Sequence, residues 1–331
     1  KKASLVIYPN EQISNLMKNY LKNAGIILIS FFAFISCNDN NDDSGMEAES
    51  YDTTFKVTDA PIDNANVEAV VVTITNVKVD DKALEAFTAT TVNLAALVNG
   101  KTETLGNLDL KAGSYSNIEF EVDFEKDVNG NAPGCYVQMA DGTKDALVAS
   151  SNKIAIQDKF EVLAKSVNQV VIDFDLRKTV KEDQNTLSND FNFVTMSEFS
   201  AGIRVVNEDL SGKISGTAND ANNTSDKIIV YAYEKGTFNA DAETKGSGVS
   251  KVTFANAVTS SEVSGLNKSY NLSFLKEGEY ELVFASYTED NNKFFFSSML
   301  NAESTTGLNL GALSVASSLQ ISANVTITGS K

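Results

Sequence analysis

The chain is 331 residues long and sets 44 acidic against 27 basic side chains, a formal charge of −17, with no histidine, no tryptophan and two cysteines. So acidic a surface repels phosphate backbones, which excludes nucleic acid as a partner. Without histidine there is no Ser-His-Asp or Cys-His catalysis, and a thiol without imidazole cannot build a structural zinc site; neither a metal nor another cofactor is expected.

In chain order, residues 1–16 lack signal character, and Met17 is the expected start of the reading frame. Residues 17–36 then have the layout of an export signal. Lys18 and Lys22 supply a basic start, and a thirteen-residue apolar run, Ala24 to Ser36, leads into Cys37. As a helix that run spans about 20 Å, short of the roughly 30 Å hydrocarbon core, so it predicts no spanning anchor. The layout resembles a bacterial lipoprotein signal, in which Cys37 would be acylated at sulfur and become the first mature residue. Phe34 departs from the leucine usual three residues before the cysteine, while Ser36 fits the small residue at the cut. Residues 1–37 hold four lysines and one glutamate, so the mature remainder carries −20. With Cys37 acylated, Cys135 is left alone and no internal disulfide is expected.

Residues 37–50 are Asn, Asp, Ser, Gly and Glu with almost no apolar content, a solvated tether. Asp39, Asp42 and Asp43 resemble the acidic export run of Bacteroidota lipoproteins; an ordinary linker has the same composition.

From Tyr51 onward the pattern is strand after strand. Val67 to Val79 is a β-branched run, Ile118 to Phe124 alternates strictly and predicts a half-buried strand, and Val170 to Leu176 alternates over its second half. Val92 to Leu97 suggests a short helix. Asn129-Gly130 and Asp141-Gly142 read as turns. A second unit begins near Ser211, with strands expected at Lys227–Tyr233, Lys251–Ala255, Ser269–Leu275, Glu279–Tyr287, Lys293–Met299 and Leu313–Thr328. Phe294-Phe295-Phe296 places rings on both faces of its strand and is expected to be buried. Leu110-Lys111-Ala112-Gly113-Ser114-Tyr115 recurs as Leu275-Lys276-Glu277-Gly278-Glu279-Tyr280. A Leu-x-x-Gly-x-Tyr step entering a strand is the pattern of a tyrosine corner, its phenol bonding back to the backbone. The expected fold is all-β, two Greek-key β-sandwich domains in tandem, at residues 51–207 and 208–331.

Chemistry is sparse along this pattern. Asp59-Ala60-Pro61 with Asp63 could form a ligand loop or end a strand. Asp173 and Asp175 share one strand face; paired acids can do acid–base work, but neighbours on one exposed face are expected to be solvated. Asp127-Val128-Asn129-Gly130-Asn131 starts like a calcium loop, yet Ala132 and Gln138 stand where glycine and a bidentate acid belong, so a hairpin turn is expected. The loops Asn219 to Asp226 and Glu289 to Asn292 are similar. Ser150-Ser151-Asn152-Lys153 has a Ser-x-x-Lys spacing without the companion motifs or the helix that chemistry needs. No catalytic residue is assigned.

Several segments together resemble the DUF4382 family of secreted bacterial domains. These are Val57-Thr58-Asp59-Ala60-Pro61 with the valine-rich strand after it, Val92-Asn93-Leu94, Leu110 to Tyr115, Ile172 to Leu176 and Ile203-Arg204-Val205. Val194-Thr195-Met196-Ser197 departs from the family where a proline is frequent. The part after Ser211 resembles carboxypeptidase-regulatory-like, transthyretin-type sandwiches. The resemblance implies a Bacteroidota envelope lipoprotein and transfers no site. Together these readings predict a lipid-anchored outer-membrane protein acting as a non-enzymatic binding or adhesion module for a glycan or an envelope protein. Two alternatives stand beside it: a fimbrillin-like structural subunit and a carboxylate-based hydrolase. The only arginines, Arg177 and Arg204, allow no arginine-specific maturation cut near the N-terminus. The hydrolase would need two acids converging from separate strands at a cleft.

Overall fold

The computed structural model describes residues 49–61, 67–182, 191–222, 225–290 and 293–331. Cys37, the signal, most of the tether and Asp63 lie outside these residues, as do parts of the loops at 219–226 and 289–292. The described residues belong to one compact unit. It is all-β, two curled sandwich lobes in tandem.

The first lobe contains β1 (Ser50–Ala60), β2 (Val67–Val79), β3 (Lys82–Ala83), β4 (Thr90–Asn93), β5 (Glu103–Lys111), β6 (Gly113–Tyr115), β7 (Ile118–Val122), β8 (Tyr136–Met139), β9 (Lys144–Ala146), β10 (Lys153–Ile156), β11 (Phe160–Val162) and β12 (Asn168–Asp175). A short helix α1 (Leu176–Thr179) follows, then β13 (Val180–Glu182), β14 (Phe191–Phe193), helix α2 (Met196–Ala201) and β15 (Ile203–Asn207). One sheet runs β15-β12-β1-β5, with β1 parallel to β12; the other runs β10-β7-β2-β8-β9. Phe55, Val57, Ile172 and Phe174 from the first sheet meet Val72, Ile74, Phe120 and Val137 from the second in one core. Burying each such side chain is worth about 1.5–3 kcal/mol.

The second lobe contains β16 (Ser211–Asn219), β17 (Lys227–Glu234), helix α3 (Ala240–Glu243), β18 (Thr259–Glu262), β19 (Ser269–Lys276), β20 (Gly278–Asp290), β21 (Lys293–Ser304), β22 (Leu313–Val315), β23 (Gln320–Ser322) and β24 (Val325–Ser330). They form one sheet ordered β18-β17-β20-β21-β24-β16-β19, which curls until its edge strands meet at the Ser264–Ser269 bridge. Its inner face packs Ile214, Val230, Leu272, Phe284 and Ile327. Its outer face carries a smaller aromatic core of Tyr231, Tyr233, Tyr287 and Phe254.

Both tyrosine corners form. Tyr115 Oη donates to the Lys111 carbonyl at 2.8 Å and Tyr280 Oη to the Lys276 carbonyl at 2.9 Å. β7 is half-buried by strict alternation, as its sequence predicts.

Other segments differ from the sequence reading. Lys251–Ala255 is not a strand: Lys251 and Phe254 take left-handed φ values of 56° and 51°, and the turn stacks Phe254 on Tyr231 at 4.2 Å. Leu313–Thr328 is broken into three short strands, and Thr259–Glu262 is an additional one. Val92 to Leu97 splits into the end of β4 and a single 3-10 turn, Leu94–Ala96. In the triple-Phe run, Phe294 and Phe296 pack on the outer core while Phe295 is 41% exposed, so only one face is buried. At the departure from the family pattern, Thr195 caps α2 in a reciprocal capping box with Glu198.

Candidate functional site

The sheet face predicted to be solvated is covered. Alternation along β12 puts Val170, Ile172 and Phe174 into the first-lobe core, and Val171, Asp173 and Asp175 on the opposite face, where the second lobe packs. Val171 and Val206 meet Phe274 there. Asp173 and Asp175 are therefore buried rather than solvated, and both need counter-charges.

The two arginines of the chain supply them. Arg204 Nη2 lies 2.6 Å from Asp173 Oδ2 and donates to the Ser273 carbonyl at 3.0 Å, while Nη1 donates to the Phe274 carbonyl. Those carbonyls are available because the β16–β19 ladder slips between Gly212 and Ile214, and Phe274 adopts a φ of 56°. Arg177 Nη2 donates to Asp175 Oδ2 at 2.8 Å, and its Nη1 donates to the Thr253 and Phe254 carbonyls at 2.7 and 2.8 Å. Its guanidinium also lies 5.3 Å from the centroid of the Tyr231 ring. Lys178 adds a contact to Asp175 at 3.4 Å. Each arginine thus joins a first-lobe carboxylate to second-lobe backbone.

Asp59 ends β1 in the same neighbourhood. Its Oδ1 accepts from the Leu176 N–H at 3.1 Å, serving the first turn of α1. Burial and then the Asp173 charge push its carboxyl well above the usual carboxylate range. The Asp59-Ala60-Pro61 motif is thus the end of a strand. Acids from two strands, β1 and β12, do converge here, but the crevice beside Asp59 and Asp173 measures about 10 Å³, which no substrate could enter. A glycosidase pair needs an open gap of roughly 5–10 Å between its carboxyl groups.

The other candidate motifs resolve into turns and ladders. Asp127 Oδ1 accepts from Asn129 and Asn131 N–H groups, and its Oδ2 accepts from the Asn131 amide, which closes the turn with its own carboxylate. Lys153 pairs with Glu119 and Glu121 on neighbouring β7, and no helix follows Ser150. Asp226 accepts from the Glu289 N–H, tying two acidic loops together. Cys135 is buried, and burial pushes its thiol up to about 11, so it is inert at neutral pH. Among the described residues no group of three His, Cys, Asp or Glu side chains is arranged to hold a metal.

Open space lies on the second lobe. A groove of about 470 Å³ runs over β16, β19 and β23, walled by Ser215, Thr217, Asn271, Gln320 and Asn324, with Asn99 reaching in from the first lobe. Among the described residues Lys213 is the one charged group lining it, and no carboxylate does. Gly216 shapes the floor, because a Cβ there would fall 2.1 Å from the Ala323 carbonyl oxygen. Gln320 Nε2 donates to Ser215 Oγ at 3.1 Å, Asn324 Oδ1 accepts from the Thr217 N–H at 3.0 Å, and Asn271 Nδ2 donates to the Asn99 carbonyl at 2.8 Å. Tyr270 is buried with its ring edge-on to Phe284, so the groove has polar walls and no aromatic platform. Sequence reasoning missed these residues. The alternation Ser269-Tyr270-Asn271-Leu272 marks one polar face but reads like any wet sheet surface.

A family model described as "Domain of unknown function (DUF4382)" matches residues 52–192. The match falls within the first lobe and spans the quoted motifs except Ile203-Arg204-Val205, which lies beyond it. No curated protein matches the chain. Among solved structures, the chain is similar to BcpA, the major pilin subunit of Bacillus cereus, at 12% identity, covering 85% of this chain and 71% of that one with a TM-score of 0.20. It is similar to the fimbrial anchor protein Mfa2 from Porphyromonas gingivalis at 9% identity, covering 83% and 90% with a TM-score of 0.19. It is also similar to the Bacillus anthracis TIE protein at 9% identity and a TM-score of 0.19, covering 84% of this chain but only 34% of that protein's length. Likeness at this level does not extend to function.

Proposed function

We propose that this chain is a lipid-anchored, non-enzymatic binding module of the bacterial envelope, and that its groove takes an uncharged, polyhydroxylated ligand, a glycan segment. The observation that carries this reading is the groove itself: about 470 Å³ walled by amides and hydroxyls, with no carboxylate among its described lining residues to act as acid or base. Amides offer a donor and an acceptor side by side, which suits sugar hydroxyls. Asp173 and Asp175, by contrast, are buried with arginine partners, and Asp59 is buried against the Leu176 N–H. Lacking an aromatic platform, the site would depend on hydrogen bonds, each worth about 0.5–1.5 kcal/mol net, so affinity for one segment should be modest.

A binding screen of the purified protein against neutral and acidic glycans and envelope proteins tests this. Retention of neutral glycans is expected. Gln320 is exposed, so Gln320→Ala should keep the fold and weaken binding roughly 2- to 10-fold, the equivalent of one hydrogen bond. No neutral glycan bound across a broad panel, or binding untouched by Gln320→Ala, would remove the groove from consideration.

A further inference from the structure

The crevice at the lobe junction has a composition that ion pairing does not explain. Asp59, Asp173, Ser260 and Asn271 all line it. Each also has an oxygen without a hydrogen-bond partner among the described residues: Asp59 Oδ2, Asp173 Oδ1, Ser260 Oγ and Asn271 Oδ1. Asp59, Asp173 and Ser260 are only 5%, 3% and 4% exposed. Buried polar atoms left unpaired are destabilising, so four around one small space point to an occupant that would satisfy them.

Size, chemistry and charge restrict that occupant. The volume of about 10 Å³ admits one water-sized sphere. The four orphaned atoms are all oxygen, the ligand set of a hard cation rather than of zinc or copper. Arg204 also lines the crevice, with its guanidinium held by Asp173 and two carbonyls. With both acids ionised, two carboxylates against one guanidinium leave a single negative charge. A bound cation would be what keeps Asp59 ionised, since burial alone pushes its carboxyl up. A divalent ion would overshoot that charge in a buried setting, beside a fixed arginine. A water, with both acids ionised, would leave the charge uncompensated.

We propose that the junction crevice binds one univalent hard cation, of the sodium class, through oxygens of Asp59 and Asp173 from the first lobe and Ser260 and Asn271 from the second. The ion would clamp the lobes together. Because Asn271 also lines the groove and bonds the Asn99 carbonyl, the same ion would fix one groove wall. The clamp does not depend on what the groove binds.

Thermal unfolding of the full protein in sodium chloride and in choline chloride at equal ionic strength tests it. Tm should be higher in sodium by roughly 2–4 °C, since the ion binds only the folded state. Asp59→Asn keeps an acceptor for the Leu176 N–H but removes the charge, and should bring the two salts level. Equal Tm values for the unsubstituted protein would overturn the proposal in favour of a water beside a neutral Asp59. So would a sodium effect surviving in Asp59→Asn, or a stabilisation by calcium or magnesium alone. As a check independent of that variant's folding, crystals grown with thallium(I) should show an anomalous peak in the crevice; its absence would count against the site.

Discussion

Glu198 shows how one side chain can serve two elements at once. Its Oε2 accepts from the Thr195 N–H and hydroxyl at the start of α2, and its carboxylate also accepts from Ser250 N at 2.9 Å and Ser250 Oγ at 2.6 Å. Burial works against its charge, but the bonds from Ser250 and Thr195 outweigh burial and hold the carboxyl at about 2. A depressed carboxylate contributes stability above its unfolded value of 4.5 and loses it as pH falls towards 2. Acid titration followed by circular dichroism should therefore show Tm falling over that window. Glu198→Gln should start from a lower Tm at neutral pH and show a shallower acid slope; an unchanged slope would mean the bonds are not made in solution. Nothing in Thr195-Met196-Ser197-Glu198 announces Ser250 as a partner. The capping box is a local Thr-x-x-Glu pattern that the sequence reading passed over, whereas the second pair of bonds spans 52 positions and has no local signal.

At the scale of elements, legibility followed the number of covered faces. β7 buries one face only, and its strict alternation describes it correctly. β12 obeys the same alternation, but the second lobe covers its other face, so its aspartates are interior groups. Periodicity tells which residues share a face and cannot tell what will pack on it. The repeated Leu-x-x-Gly-x-Tyr step was readable because its bond is local, from each tyrosine to a carbonyl four residues back. Tyr280→Phe should cost about 0.5–1.5 kcal/mol in urea unfolding, a hydrogen bond lost with ring packing kept. A loss several times larger would mean that the corner organises the whole strand pair. The groove was illegible for a different reason: amides and hydroxyls on a sheet face look the same in sequence whether they wall a cavity or meet bulk water.

For the molecule as a whole, placement and attachment are separate questions. No helix among the described residues is long and apolar enough to cross a membrane. Attachment in the proposed reading comes through Cys37, which lies outside them. Cell fractionation checks this: Cys37→Ala should move the protein from the membrane to the soluble fraction. A variant that stays on the membrane with its apolar run uncleaved would mean that the acyl chain is not what holds it.

The junction also gives the chain a chemical silence on its surface. Both arginines are committed to tying the lobes, their side chains 3% and 16% exposed, while lysines are spread over the outside. A protease that cuts only after arginine finds no ready bond on the closed molecule and gains one when the lobes part. Arginine-directed digestion, set beside lysine-directed digestion of the same sample, would count opened molecules against all molecules, a gauge of lobe separation that needs no label.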